Sequence, residues 1–262
     1  MAYSTISKPS LHFNTLLYSG NGSNPRTLTG VGFQPDFVWQ KNRTDSNGHT
    51  LADAVRGANK TLSSDGSGAE VTDKDDGHLD AFTSDGFTVG AGSSSDARVN
   101  DGSHTYVAWN WKANGSGSAN TDGSINTTST SVNTTAGFSI VKYTGTAANA
   151  TVGHGLGVPP KMIITKNLQQ GNEGWLVYHA STGNTKKCIL NSTGSFSTDA
   201  TAWNSTTPTN DVFSIGTNWG SNGNGHPMIA YCFAEKKGYS KFGSYTGNGN
   251  ANGTFVYTGF KP

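Results

Sequence analysis

The feature that most constrains this chain is an internal repeat. Four blocks of sequence occur twice, in the same order and at nearly constant spacing. Residues 13–20 match 138–145 and residues 30–42 match 155–167, both at an offset of 125, while residues 85–90 match 211–216 at 126 and residues 104–111 match 226–233 at 122. Self-similarity of this kind indicates one structural unit that is present twice.

A third copy begins near the end of the chain. Residues 245–249 match 18–22, and residues 259–262 match 32–35, both at an offset of 227. Two interpretations follow. Either the chain is a fragment of a longer repeat protein, which we favour, or its last residues form a strand that completes the second unit or docks on a neighbouring copy.

Composition excludes several classes of protein. The 18 Lys and Arg residues nearly balance the 17 Asp and Glu residues, so there is no basic excess to attract nucleic acid. The sequence has no apolar run long enough to insert into a membrane, and residues 1–10 lack the basic and apolar regions of a secretory signal. Aromatic residues make up 10% of the chain, which argues against disorder.

The pattern within each unit predicts short β-strands. Apolar or alternating runs are separated by Asn-Gly, Asp-Gly and Ser-Gly pairs, which are typical of turns. In the first unit the predicted strands cover residues 16–19, 37–41, 51–55, 60–62, 87–89 and 106–111. Residues 107–109 are apolar on both faces, which predicts a central strand. Strands at this density favour an all-β fold of tandem β-sandwich domains with jelly-roll or lectin-like topology.

The repeat also predicts domain boundaries. We expect β-sandwich repeat one over residues 1–113 and β-sandwich repeat two over residues 137–236. Residues 114–136 are rich in Gly, Ser, Asn and Thr and are predicted as a flexible linker, although apolar residues within them leave room for a strand. Residues 237–262 are predicted as the start of a truncated third repeat or as a docking strand.

The sequence gives little support to catalysis. It has none of the motifs of nucleophilic hydrolases, phosphate-binding loops or zinc peptidases. A glycan-cleaving enzyme needs a carboxylate pair, and Glu70, Glu173 and Glu235 have no counterparts across the repeats. His104 and His226 occupy equivalent positions, either as a site repeated in each unit or, as we favour, as strand-end histidines bonded to backbone. We therefore expect no enzymatic activity and no cofactor.

An acidic run is the best candidate for a metal site. Asp73, Asp75, Asp76 and Asp80 lie around Gly77, and Ca²⁺ prefers several oxygen ligands. The run lacks the bidentate Glu that completes a calcium loop, and the second unit has no equivalent run. An acidic, solvated loop is therefore the favoured interpretation, with calcium binding as the alternative.

Three tryptophans in polar surroundings are candidates for glycan binding: Trp175, Trp203 and Trp219. A sugar stacks its C–H face on an aromatic ring while neighbouring amides bond its hydroxyls. Tryptophan in a small β-sandwich more often belongs to the core, so both interpretations stay open. Cys188 and Cys232 lie in predicted strands of the second unit alone, so we expect buried thiols rather than a disulfide.

Several blocks of the chain resemble a known protein family. They are residues 18–22, 32–43, 55–60 and 107–112 of the first unit and residues 153–157 and 233–235 of the second. These blocks resemble a repeated domain of unknown function that occurs in virion proteins of tailed bacteriophages, notably tail-fibre-like proteins of marine phages. The resemblance covers nearly the whole chain and brings no catalytic residues with it.

The resemblance implies a bacteriophage virion structural protein, a tail fibre or a similar surface appendage. Such a protein is made in the host cytoplasm and assembles non-covalently on the virion surface. We expect a homotrimer that contacts other virion proteins and host-surface glycan, without nucleic acid and without membrane insertion. A capsid-surface decoration protein and a stand-alone lectin-like carbohydrate-binding module are the alternatives.

Overall fold

A computed structural model of the chain describes residues 4–72, 75–93 and 98–260. In that part of the chain the protein is almost entirely β-structure, which confirms the predicted all-β class. Helical structure there is confined to a 3-10 turn at Pro9–Leu11 and one α-helical turn, α1, at Trp219–Asn222. The strands are β1 (Phe13–Ser19), β2 (Arg26–Thr29), β3 (Phe37–Asn42), β4 (Thr50–Asp53), β5 (His78–Thr83), β6 (Gly86–Gly90), β7 (Thr105–Trp111), β8 (Ser129–Asn133), β9 (Phe138–Thr144), β10 (Ala150–Gly153), β11 (Met162–Asn167), β12 (Leu176–His179), β13 (Lys186–Ile189), β14 (Ser197–Thr198), β15 (Val212–Ile215) and β16 (Pro227–Phe233).

The strands form two groups of sheets, which we call the first half (β1–β7) and the second half (β8–β16). The first half has a four-stranded sheet in the order β1-β7-β3-β4 and a three-stranded sheet in the order β2-β6-β5. The second half has a seven-stranded sheet in the order β14-β13-β12-β11-β16-β9-β8 and a two-stranded sheet of β10 and β15. Strand β7 lies between β1 and β3, as its apolar residues on both faces predicted.

The same strand pairing occurs in both halves. Phe13 of β1 lies opposite Trp111 of β7, and Phe138 of β9 lies opposite Phe233 of β16. These two pairs are related by the sequence offsets of 125 and 122 found above. The third and fourth strands of each main sheet repeat as well, because β7-β3-β4 corresponds to β16-β11-β12. The repeated sequence blocks therefore encode a repeated hydrogen-bonded ladder.

One glycine in each half marks a close approach of the chain to itself. The amide of Gly20 donates to the carbonyl oxygen of His104 at 2.8 Å, and the amide of Gly145 donates to that of His226 at 2.9 Å. An added Cβ would lie 1.8 Å from a backbone oxygen at Gly20 and 2.2 Å from one at Gly145. A side chain cannot fit at either position, which explains why glycine recurs there.

Three buried clusters hold the sheets together. One lies between the two sheets of the first half and includes Leu79 and Phe87, and another lies between the two sheets of the second half and includes Tyr143 and Phe213. The third, which we call the junction core, contains residues of both halves and packs the four-stranded sheet against the seven-stranded sheet. Its buried members are Phe37, Leu51, Leu62, Ala113, Phe138, Ile140, Ile164, Leu168, Trp175, Val177, Ile229 and Tyr231.

Side chains of the central strands alternate between these cores. In β16, Ile229 and Tyr231 belong to the junction core, whereas Ala230 and Cys232 belong to the core of the second half. Because successive side chains of a strand point to opposite faces, a strand that is apolar on both faces is buried on both. Phe37 stacks on Tyr231 with ring centroids 4.4 Å apart, a geometry that adds about 0.5–1.5 kcal/mol beyond area burial.

The structure differs from the sequence-based expectations at several places. Residues 114–136, predicted as a flexible linker, contain β8, which pairs with β9. The apolar residues within this stretch had already indicated that a strand was compatible with it. Residues 60–62 form only isolated bridges, and the strands β2 and β5 were not predicted. Strand β2 has four residues with a single apolar side chain, and the alternation of β5 is broken by a register shift between Leu79 and Ala81, so sequence periodicity detects neither strand.

The described residues 241–260 form no strand, although residues 245–249 match part of β1 and the turn after it. In the first half β1 is held by its partner β7, and no such partner strand lies beside the segment 241–260. Several large side chains of this segment are exposed to solvent: Tyr245, Phe255, Val256 and Tyr257. Phe242 is the point of attachment, since its ring lies 6.4 Å from those of Phe233 and His179.

Candidate functional site

Two of the three tryptophans proposed for glycan binding are buried, which corrects that prediction. Trp175 is 0% exposed and Trp203 is 1% exposed, so neither ring can stack on a sugar. Trp175 lies in the junction core, and its indole N–H donates to the carbonyl oxygen of Ser63 at 2.9 Å, across the junction. Trp203 lies in the core of the second half, edge-on to Tyr178.

The third tryptophan, Trp219, is on the surface. It is 45% exposed at the start of α1, and its ring meets that of His226 edge-on at 5.2 Å. The short helix is capped by Asn218, whose side chain accepts a hydrogen bond from the Gly220 amide. Trp219 is thus the one of the three whose ring reaches solvent, and it is not among the lining residues of the groove described below.

The equivalent histidines do not build a repeated site. The His104 imidazole pairs with the Asp101 carboxylate at 3.3 Å, whereas the His226 imidazole lies 3.1 Å from the Asn167 amide. Both histidines stand just before a strand and bond to backbone through their main chain, since the His104 amide donates to the Asp101 carbonyl oxygen and the His226 amide to that of Gly223. What the repeat preserves at these positions is the backbone carbonyl that accepts from Gly20 or Gly145.

The acidic run provides partners for side chains of its own half. Asp76 pairs with Arg98 at 3.0 Å, Asp80 accepts from Nε2 of the His78 ring at 2.8 Å, and Asp75 accepts from the Ser93 hydroxyl at 3.2 Å. Asp73 lies outside the described residues. Within residues 4–72, 75–93 and 98–260, no group of three or more His, Cys, Asp or Glu side chains could hold a metal ion.

Both cysteines are free. Cys232 is buried in the core of the second half, and this burial raises the pKa of its thiol to about 12. Cys188 is half-buried at the edge of the junction core. The expectation of two buried thiols thus holds fully for Cys232, which is protonated at neutral pH.

A buried ion pair of the first half accepts a hydrogen bond from the second half. The carboxylate of Asp53, at the end of β4, accepts from the Arg56 guanidinium at 2.5 Å and from the Tyr231 hydroxyl of β16 at 2.7 Å. Arg56 also pairs with Glu70 at 3.3 Å, and its side chain is 0% exposed. Burial raises the pKa of the Tyr231 hydroxyl well above its ordinary value. This tyrosine therefore stays protonated and donates to the carboxylate of the other half.

A buried lysine makes a second polar link between the halves. The ammonium of Lys166 donates to the carbonyl oxygens of Glu173 at 2.7 Å and of Ser67, in the first half, at 2.8 Å. Burial lowers its pKa to about 8, although Glu173 opposes the shift. The charged side chains of both links form their bonds within the junction, so they have a structural role there.

An open groove of about 410 Å³ lies on the surface where the halves meet, and we call it the junction groove. Its lining residues are Trp39, His49, Ser64 and Asp65 of the first half and Leu190, Asn191, Ser192 and Thr193 of the second. The Trp39 indole N–H donates to Nδ1 of His49 at 2.8 Å. Asp65 accepts from the His49 amide at 2.9 Å and from the Ser63 hydroxyl at 2.7 Å.

The residues of the junction groove were not among the candidate site residues predicted from the sequence. The repeat contained one usable signal, since Trp39 occupies the position of Ile164 in the second copy. An aromatic residue where its equivalent is aliphatic marks a local difference between the units. The loop that carries Asn191 had no signal, because its place beside Trp39 depends on how the halves pack.

A second cavity at the junction, of about 300 Å³, is mainly apolar. The cavity is lined by Phe13, Trp111, Phe138 and Phe233 together with Phe242 of the C-terminal segment.

Helices in the described part of the chain are too short to cross a membrane.

Comparison with known proteins gives a family and no function. Residues 8–262 match a family described as a domain of unknown function, DUF7483, so the chain belongs to that family. No curated protein and no solved structure matches the chain.

Proposed function

We propose that the protein is a structural component of a bacteriophage virion, a tail fibre or a similar surface appendage. The supporting observation is the junction core, which joins two β-rich halves into one body through aromatic packing and the Asp53–Arg56–Tyr231 link. An appendage must stay rigid without enzymatic chemistry, and the buried titratable groups described above serve as structural partners. The resemblance of the repeated blocks to phage virion proteins supplies the biological setting.

In this proposal each half is a β-sandwich of jelly-roll or lectin-like type, and the two stand in tandem. The support is that each half places a buried cluster between two antiparallel sheets and repeats the same ladder. Topology of this kind is shared by many binding and assembly proteins, so the function rests on surfaces rather than on the fold.

Self-association, as a homotrimer, is part of the proposal. The segment 241–260 exposes Tyr245, Phe255 and Tyr257, with Phe255 88% exposed. The edge strand β1 exposes Leu17 to 61%. Exposed apolar groups beside an unpaired strand edge are the features that association covers in other proteins.

The protein would be made in the host cytoplasm, join other virion proteins at the virion surface and contact host-surface glycan without catalysis. A capsid-surface decoration protein is the first alternative, and it would share the same domains. A stand-alone lectin-like module is the second, and the mixed aromatic and polar lining of the junction groove is the observation in its favour.

Electron microscopy of purified particles, with an antibody against this chain, tests the proposal. We expect label on a trimeric projection from the tail. Label over the capsid lattice would favour the decoration protein, and particles free of the chain would favour the lectin-like module. In parallel, mass measurement of the purified chain should give a trimer that Phe255→Ser with Tyr257→Ser dissociates, while the exposed control Val158→Ser stays trimeric.

A further inference from the structure

We propose that the junction groove binds a neutral carbohydrate. The inference rests on the proposed contact with host-surface glycan and names the site and the class of sugar. A groove of about 410 Å³ falls within the range of roughly 300–1,000 Å³ that is typical of small-molecule sites. It accommodates one or two sugar rings of a longer chain.

The apolar part of the groove comes from Trp39 and Leu190. The indole of Trp39 is half-buried, and Leu190 is 38% exposed. The Trp39 ring is held by its hydrogen bond to His49 and by an edge-on contact with the Trp109 ring at 6.4 Å. A fixed aromatic surface of this kind attracts the C–H groups of a pyranose ring at little cost in side-chain entropy.

The polar part supplies both acceptors and donors for sugar hydroxyls. Two hydrogen bonds to Asp65 lower its pKa, against the effect of partial burial, so the carboxylate is ionised at neutral pH. An ionised carboxylate has about four acceptor positions, and its hydrogen bonds are roughly twice as strong as neutral ones. On the opposite side, the Asn191 oxygen is held by the Trp175 amide at 3.0 Å, which leaves its NH₂ group as the donor to a ligand.

Trp175 fixes the two sides of the groove relative to each other. Its indole N–H holds Ser63 of the first half, and its backbone holds Asn191 by the amide and Leu190 by the carbonyl at 2.9 Å. The side chain predicted to stack on sugar instead lies buried in the junction core, where it positions residues of the groove. A preformed site of this kind loses less entropy when it binds.

Charge selects a neutral sugar. The lining residues include the Asp65 carboxylate and no lysine or arginine. Partial burial lowers the pKa of His49, although Asp65 opposes the shift, and its Nδ1 accepts from the Trp39 indole, so the ring is neutral at neutral pH. Because the ionised side chain among the lining residues is a carboxylate, the groove repels sialic or uronic acids and favours hexoses and N-acetylhexosamines.

The test is a binding assay on the full chain. The probes are glucose, galactose, mannose and N-acetylglucosamine with their neutral oligomers, and sialyllactose as the acidic comparison. We expect a neutral sugar to bind and its affinity to fall at least about tenfold in Trp39→Ala, because truncation of an aromatic anchor commonly costs that much. Thr193→Arg should lower the affinity as well, because the longer side chain fills the groove. Thr193 is an exposed loop residue, so this substitution tests binding without disturbing the fold.

Trp219→Ala is the matched control, since it removes an exposed tryptophan outside the groove, and its affinity should equal that of the wild type. The proposal is overturned if no neutral probe binds, if sialyllactose binds better, or if Thr193→Arg binds as the wild type does. The outcome is separate from that of particle microscopy. Sugar binding without a place in the virion contradicts only the virion proposal, and a place in the virion without sugar binding contradicts only the groove.

Discussion

The two halves share a backbone ladder but use it for different purposes. Lys41 and Lys166 occupy equivalent positions in the two copies, and each donates to carbonyl oxygens of the loop after its strand. Lys41 stays within its own loop, whereas Lys166 is buried and also reaches Ser67 of the other half. The repeat therefore preserves the local bonds of this lysine, while its contact with the other half is made in one copy alone.

The aromatic residues differ between the halves in the same way. On the sheet face toward the junction, Trp39 of the first half corresponds to Ile164 of the second, and Trp111 corresponds to Phe233. Larger rings on the first half reach over the junction, and one of them forms part of the groove. Duplication thus supplies the scaffold, and unequal side chains turn the contact between copies into a site.

The largest predicted effect distinguishes the junction from the surface. Arg56→Met should lower the free energy of unfolding by about 3–5 kcal/mol, because it leaves the Asp53 carboxylate buried without its cation. Urea denaturation measures the loss. The control is Arg43→Met at an exposed position, which we expect to be nearly neutral. A loss at Arg56 no larger than at Arg43 would mean that the Asp53 carboxylate does not need the buried guanidinium.

An intermediate effect separates the two buried tryptophans. Trp175→Phe leaves the Ser63 carbonyl without its donor, whereas the Trp203 indole N–H is buried without a hydrogen-bond partner in the described part of the chain. Trp175→Phe should therefore destabilise the protein by about 1–3 kcal/mol more than Trp203→Phe, as measured by thermal or chemical unfolding. Equal losses would contradict the role of Trp175 as a link across the junction.

The smallest effect is a pH dependence from Lys166. Its pKa is about 8 in the folded protein and 10.5 ordinarily, so between these values the unfolded chain binds more protons. Stability from this group therefore rises with pH across that window. Unfolding measured from pH 8 to pH 10 should show a shallower rise, or a steeper fall, in Lys166→Met than in the wild type. A matching slope in Lys166→Met and the wild type would contradict the assignment.

Sequence alone predicted the all-β class and several of the strands, but not their pairing. The strands β3, β6 and β7 were found nearly at their observed bounds because their apolar patterns and flanking turns are local signals. The burial of the tryptophans, in contrast, does not depend on local sequence. Trp175 follows a polar loop and precedes Leu176, and it is buried in the junction core, where its indole N–H donates to Ser63 of the first half. Contacts between repeats are not visible in the pattern of one repeat alone; comparison of the two copies gives a signal only where they differ, as at Trp39 and Ile164.

The most direct test of the account is fluorine NMR of the full chain with fluorotryptophan in place of its six tryptophans. Each ring reports its own surroundings, and Trp39 alone among them lines the junction groove. Titration with the neutral oligosaccharide that binds best should move the Trp39 resonance most, while Trp219 and Trp203 stay unchanged. Movement of Trp219 with Trp39 unaffected would contradict the claim that the contact between the two halves forms the binding site.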